Sequence, residues 1–172
     1  YLTAKTVTGN AAADAVKKMS AQVKSLRAVF VCAKERVCPL NDRKESPCYL
    51  SCPLMQEIER VSYEERRDKA MLDLLVGNNV IETAAIEKIA EKYKICPYEL
   101  SLDVSEYAEV VICDYNYVFD ANVRFRRYFE SDSGQRYMFL IDEAHNLPDR
   151  AREMYSAEIS EVQLSTLPYG EL

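Results

Sequence analysis

Asp142-Glu143-Ala144-His145 is the densest group of reactive side chains in the chain, and it holds the only histidine. It follows the apolar run YMFLI, residues 137–141, directly. A continuous apolar run of this kind reads as a strand buried in a parallel sheet. Acidic residues placed there sit at the carboxyl end of the strand, where open α/β sheets bind ligands. In nucleotide hydrolysis an aspartate at that position holds Mg²⁺, and its glutamate neighbour orients and polarises the attacking water. Successive residues of an extended chain point to opposite sides, so Asp142 can face a metal while Glu143 faces the water. His145 would link the nucleotide state to neighbouring segments by hydrogen bonds. The same two carboxylates could instead cap the next helix, whose N-terminal dipole favours negative charge.

Cysteine is the second chemically loaded residue type, at positions 32, 38, 48, 52, 96 and 113. Four of the six form a pattern, Cys38-x9-Cys48-x3-Cys52 and then Cys96 after 43 residues. Three of these four precede a proline: Pro39, Pro53 and Pro97. Thiolates are soft ligands that take Zn²⁺ or iron–sulfur clusters. Structural zinc sites use two tight cysteine or histidine pairs. One close pair, one looser ligand and one remote ligand, with Cys-Pro, is closer to four-cysteine iron–sulfur ligation. Zinc stays open as an alternative, and so do unpaired thiols. A disulfide framework needs a secretory context, and no signal sequence opens the chain. Cys32 and Cys113 lie in apolar β-like runs and read as core residues.

The elements that must position these groups follow from hydrophobic period. Val16, Met19, Val23 and Leu26 give an amphipathic helix from Ala12. Ala28–Val31 and Glu109–Cys113 read as buried strands. Residues 33–53, with Pro39, Pro47 and Pro53, break every period and read as an irregular loop ordered by something other than a core. Leu54–Val76 reads as a helix, in which the charged stretch Glu64–Lys69 is an exposed middle or a break, and Gly77-Asn78-Asn79 stops it. Thr83–Tyr93 is another amphipathic helix, and Pro97 opens a further segment. Tyr115–Phe129 reads as helical, Ser131–Gln135 as a turn, and Leu147–Ile159 as a helix with Pro148 near its first turn. The flanks are therefore α/β and the middle is mostly α.

Composition excludes several classes. The chain has 172 residues, 48% apolar, enough for a sizeable core. With 29% charged residues, 12 Tyr and 5 Phe it is not a disordered chain. No apolar run approaches the ~20 residues of a membrane span. It reads as a soluble intracellular chain. Tyr1 opens it inside a strand-like segment, as expected of a piece of a larger protein. The net charge of −6 divides into +6 over residues 1–44 and −12 over residues 45–172. An acidic total argues against coating nucleic acid with the whole surface, but leaves room for a basic groove in the first quarter. Lys17, Lys18 and Lys24 read as a solvated helix face. Tyr115 and Tyr117 could stack bases, although packing against the sheet is the simpler role.

In this order the segments resemble the iron–sulfur helicases of superfamily 2, the DinG/XPD type, over nearly the whole chain. YLTAKT resembles motif Ia of that family. AKERVC, the two following cysteines and ICPYELS resemble its [4Fe–4S] domain. VVICDYNYVFD and FLIDEAHNLPDRARE resemble the return to the motor domain and motif II, and the last is the most specific. The bacterial DinG-like branch is the nearer one.

The resemblance implies a part of a RecA-like parallel-sheet motor domain, α/β in class, with a mostly α-helical four-cysteine domain inserted. Residues 1–31 and 106–157 would belong to motor domain 1. Residues 32–105 would form the cluster domain, and 158–172 would start an arch-like domain. It implies Cys38, Cys48, Cys52 and Cys96 as [4Fe–4S] ligands, with Cys32 an alternative to Cys38. It implies Asp142, on Mg²⁺, with Glu143 and His145 as the ATPase residues, and Thr3, Lys5 and Thr6 on the DNA phosphates. The implied partners are single-stranded and duplex DNA, ATP and the rest of the helicase chain, in a bacterial cytoplasm and not at a membrane. The implied activity is ATP-dependent 5′→3′ unwinding in repair or replication. These residues contain no G-x-x-x-x-G-K-[ST] phosphate loop, which the family carries ahead of motif Ia, so this chain alone is expected not to turn over ATP. Two readings from other classes remain, a non-enzymatic zinc-binding interaction module and a redox-sensing iron–sulfur DNA-binding regulator.

Overall fold

The computed structural model describes residues 1–3, 9–40, 52–130 and 134–157. Lys5, Thr6 and Cys48, together with the segment 158–172, lie outside them. Four parallel strands form the sheet: β1 (Leu2–Thr3), β2 (Ala28–Phe30), β3 (Val80–Ile81) and β4 (Val110–Asp114), in the order β1-β4-β2-β3. Register is set by Leu2 opposite Cys113, Val29 opposite Val111, and Val29 opposite Ile81. Every neighbour in the order is parallel, so helical crossovers must connect the strands. The chain is thus α/β with a parallel sheet, as a RecA-like motor domain requires.

The helices are α1 (Gly9–Gln22), α2 (Lys34–Val37), α3 (Tyr63–Gly77), α4 (Thr83–Tyr93), α5 (Pro97–Ser105), α6 (Asn116–Phe119), α7 (Arg126–Phe129) and α8 (Leu147–Met154). Val29, Ile81 and Cys113 of the sheet share one buried cluster with Ala70 and Leu74 of α3, Ile86 and Ala90 of α4, and Leu100 and Val104 of α5. The cysteine-bearing helical segment therefore shares a core with the sheet.

Several expectations are corrected. α1 buries Ala12, Ala13 and Val16 but leaves Met19 exposed, and it ends at Gln22, before the expected positions Val23, which is exposed, and Leu26. The helix expected from Leu54 starts at Tyr63. Ahead of it lie a short 3-10 turn (Pro53–Met55) and a tight turn closed by Ile58 and Val61, with Glu59 and Arg60 at positive φ. Left-handed backbone at two successive non-glycine residues cannot continue a helix. Ser62 then caps α3, its hydroxyl accepting from the Glu65 amide at 3.1 Å. The helix expected over Tyr115–Phe129 is two short pieces, α6 and α7, with a non-helical link between them. Asp120 side-chain oxygen accepts from the Asn122 amide and turns the chain there. α8 ends at Met154 rather than Ile159. β3 has no counterpart in the sequence pattern, since two residues carry no readable period.

Among the described residues the apolar run YMFLI pairs only at its end, where Ile141 bridges Leu2 in parallel. The Leu2 amide donates to the Leu140 carbonyl at 2.8 Å, and the Asp142 amide donates to the Leu2 carbonyl at 2.9 Å. Met138 is 87% exposed, so this run is not the fully buried strand its composition predicts. Tyr137 meets the Phe129 ring edge-on and Phe139 meets it tilted. No helix among the described residues is long and apolar enough to cross a membrane.

Candidate functional site

Asp142 stands at the carboxyl end of the sheet, beside Thr3 and Asp114, because Leu2 bridges both Ile141 and Cys113. Three groups hold it. Its amide is tied to Leu2. The fully buried Tyr115 donates its hydroxyl hydrogen bond to the Asp142 carbonyl. The Tyr1 hydroxyl is hydrogen-bonded to the Asp142 carboxylate, and burial together with that bond pushes the Tyr1 phenol up to about 12. The Asp142 main chain is therefore fixed before any ligand arrives, and its carboxylate faces a donor rather than another acid.

Glu143 departs from extended geometry, with φ 48° and ψ 44°. It takes the left-handed conformation at the start of a 3-10 turn over Ala144–Asn146, whose Asn146 amide donates to the Glu143 carbonyl at 2.9 Å. A glutamate in that region carries strain of a kind found at functional sites. Its carboxylate is 55% exposed and lies 3.2 Å from His145 Nδ1, itself 73% exposed. The carboxylates of Asp142 and Glu143 thus meet different surroundings, one the Tyr1 hydroxyl and the other solvent and an imidazole. Pro148 then sits in the first turn of α8, where its missing amide hydrogen costs nothing.

Thr3 is buried within β1, paired with Asp114. Lys17 is paired with Glu82, in keeping with a solvated face. Tyr115 and Tyr117 are both buried, and the Tyr117 ring stacks on Phe125 with centroids 4.5 Å apart. They pack against the sheet and do not offer faces to bases.

The cysteine site is built twice by one local device. Cys52 and Cys96 are each the residue before a helical turn whose first position is proline, Pro53 and Pro97. Proline fixes φ for the turn, and the turn's free amides point back at the preceding side chain. Among the described residues neither sulfur accepts a capping hydrogen bond, although the nearby amides of Tyr98 and Glu99 act to favour the charged form of Cys96. Burial is the larger effect and pushes the Cys96 thiol up. Cys52 and Cys96 are both buried and near enough to interact electrostatically. Cys38 closes α2, its amide donating to the Lys34 carbonyl at 2.9 Å. Among the described residues, no group of three or more histidine, cysteine or acidic side chains stands ready to hold a metal ion. Cys48, the fourth residue of the pattern, is not among them.

Two residues that periodicity did not single out stand at this site. Arg66 of α3 is 6% exposed and donates to the carbonyls of Tyr93 (3.2 Å) and Lys94, just before Cys96, and of Leu54 (3.4 Å) and Gln56, just after Cys52. Tyr63, one turn earlier, has a buried hydroxyl with no hydrogen-bond partner among the described residues. Both lie in a stretch that the sequence shows only as charged. Of the other two cysteines, Cys113 is buried in β4, and burial pushes its thiol up to about 12. Cys32 is half-buried, its sulfur 3.1 Å from the Thr83 hydroxyl.

An open groove runs beside this site. Lys34, Tyr98, Asn122, Arg124, Phe125 and Arg126 are among the residues that line it. Arg127 at its rim is held by Asp103 (3.0 Å) and Glu106 (2.9 Å).

The family model described as DEAD_2 matches residues 7–164. The Fanconi anemia group J protein homolog of Gallus gallus is 35% identical over 77 residues, 45% of this chain and 6% of that protein. The regulator of telomere elongation helicase 1 homolog of Caenorhabditis briggsae is 32% identical over 98 residues, 57% of this chain and 10% of that protein. The human regulator of telomere elongation helicase 1 is 27% identical over 116 residues, 67% of this chain and 8% of that protein. The chain thus spans a tenth or less of the length of these relatives.

Proposed function

This chain belongs to the DEAD_2 family of XPD-like superfamily 2 helicases, and from that premise we propose that it is part of the motor of an ATP-dependent DNA helicase. The observation that carries the reading is the seat of Asp142. It lies at the carboxyl end of a parallel sheet, its amide bonded to Leu2 in the segment read as motif Ia. A nucleotide-responsive residue and a DNA-gripping segment thereby share one strand pair, so a shift at one is felt at the other.

In this reading Asp142 holds Mg²⁺ on the nucleotide, and the ion offsets phosphate charge. Glu143, outside the strand and open to solvent, orients the attacking water. His145 holds the Glu143 carboxylate by its Nδ1. Thr3, Lys5 and Thr6 contact DNA phosphates. The finer parts of the proposal are 5′→3′ movement, membership of the DinG-like branch and, with it, a bacterial cytoplasmic setting.

We further propose that Cys38, Cys48, Cys52 and Cys96 hold a [4Fe–4S] cluster. The donor chemistry fits, because Cys52 and Cys96 are both buried and near enough to interact, and Tyr63 leaves a buried hydroxyl unpaired near Cys96. The cluster's role here is to tie the segment that follows α2, from Cys38 to Cys52, to the start of α5. The groove that Tyr98 and Glu99 share with Lys34, Arg124 and Arg126, and with the carboxylates Glu35 and Asp114, is the path this reading gives a separated strand.

Two measurements test the proposal. In the parent protein, Glu143→Gln should abolish DNA-stimulated ATP hydrolysis while nucleotide still binds; an unchanged rate would sink the motif II assignment. Anaerobic absorption with iron, sulfide and zinc analysis should give a brown protein whose colour is lost in Cys96→Ser. A colourless protein with stoichiometric zinc, refractory to reconstitution with iron and sulfide, would favour the zinc-binding module.

A further inference from the structure

Arg66 is a buried cation without an anion. Its four acceptors are all main-chain carbonyls, and no carboxylate among the described residues pairs with it. A buried charge is costly unless something compensates it, and carbonyl dipoles do so only in part. Its Nε is also buried with no hydrogen-bond partner among the described residues, and so is the Tyr63 hydroxyl. The two residues are three apart on α3, hence on one face, and the guanidinium carbon lies 5.8 Å from the Tyr63 ring centroid. The ionisable group acting most strongly on the Tyr63 hydroxyl is Cys96. One helix face therefore presents a positive charge and two unused donors, and it grips the chain immediately after Cys52 and immediately before Cys96.

We infer that Arg66 and Tyr63 are positioning residues for the cysteine centre: Arg66 fixes Cys52 against Cys96, and the pair supplies the charge and the donor that an anionic thiolate-bound group requires. The inference rests on reading Cys52 and Cys96 as ligands. A group held by four thiolates carries negative charge into a buried place. A guanidinium nearby stabilises the more reduced, more negative state, and hydrogen bonds to sulfur act in the same direction. Arginine suits the double task, because its planar fork reaches carbonyls of two segments at once while keeping its charge.

The test separates geometry from charge. The protein is reconstituted anaerobically with iron and sulfide as wild type, Arg66→Lys, Arg66→Gln and Tyr63→Phe. Reduction potential and the rate of iron loss to a chelator are then measured. Arg66→Gln should shift the potential downward, and Arg66→Lys should restore it. Both should lose iron several-fold faster than wild type, because neither side chain can hold both segments. Tyr63→Phe should lower the potential while leaving the thermal stability of the metal-free chain unchanged or raised, since it removes an unpaired buried hydroxyl. Wild-type potential and wild-type iron loss in all three variants would overturn the inference. If Arg66→Gln does not fold, Arg66→Lys and Tyr63→Phe carry the test.

A wild type that takes up no iron counts against the cluster reading, and a metal-free readout then decides the positioning role. The yield of a Cys52–Cys96 cross-link with a short bismaleimide, identified by peptide mass, should fall several-fold in Arg66→Lys. An equal yield would overturn the role assigned to Arg66.

Discussion

Tyr115 donates its hydroxyl hydrogen bond to the main-chain carbonyl of Asp142, across 27 residues of sequence. The tyrosine is fully buried at the end of β4, so the residue proposed to hold Mg²⁺ is anchored to the sheet's interior through its backbone. Its carboxylate remains available, engaged only by the Tyr1 hydroxyl among the described partners.

Tyr115→Phe keeps the ring and deletes that bond. A carbonyl left without its partner should cost about 1–3 kcal/mol, read as a lower denaturant midpoint with unchanged slope. In the parent protein the same change should lower the ATPase rate more than nucleotide affinity. A wild-type rate would mean that the anchor does not serve the site.

This chain by itself should show no ATP turnover with or without single-stranded DNA, since these residues contain no G-x-x-x-x-G-K-[ST] sequence and phosphate-loop hydrolysis needs its lysine and backbone cradle. A DNA-stimulated phosphate-release signal above buffer, abolished in Glu143→Gln, would contradict it.

Stability should fall in alkali. Burial raises the Cys113 thiol from 9.0 to about 12, and burial with the Asp142 bond raises the Tyr1 phenol from 10.0 to about 12. Both groups are neutral when folded, and the unfolded chain ionises first. Their contribution is intact below about pH 9 and is lost as pH rises toward about 12. Urea midpoints taken from pH 7 upward should decline through that window. The Cys113 thiol should also resist alkylation at neutral pH while the chain is folded.

Leu74 and Ser62 probe the two supports of α3. Leu74 is fully buried among sheet and helices, and Leu74→Ala should destabilise by about 2–5 kcal/mol. Ser62→Ala removes the cap to the Glu65 amide and should cost about 1 kcal/mol. Because α3 carries Arg66, loss of the cap should also speed thiol modification of Cys52 and Cys96. Equal modification rates would detach the cap from the cysteine site.

Local pattern was enough wherever one element satisfies itself. Thr83–Tyr93 is the helix that its apolar spacing predicts, Pro97 opens α5, and β2 and β4 fall where short β-branched runs fall. The tetrad at 142–145 was legible because an apolar run followed by acids announces a strand end. Cys96-Pro97 was legible as the opening of a segment, whereas the turn at Pro53 lay at the end of a stretch that read as an irregular loop. What only the tertiary structure decided depends on groups far apart in sequence. β3 exists because Val29 offers it a paired edge. The left-handed turn at Glu59 and Arg60 ends what a helical period would continue. Met138 is exposed because only Ile141 of its run finds a strand partner among the described residues. Arg66 looked like one charge among several in an exposed stretch. It is buried because its guanidinium finds four carbonyls on two distant segments, and hydrophobic period carries no information about which backbone groups a side chain will meet.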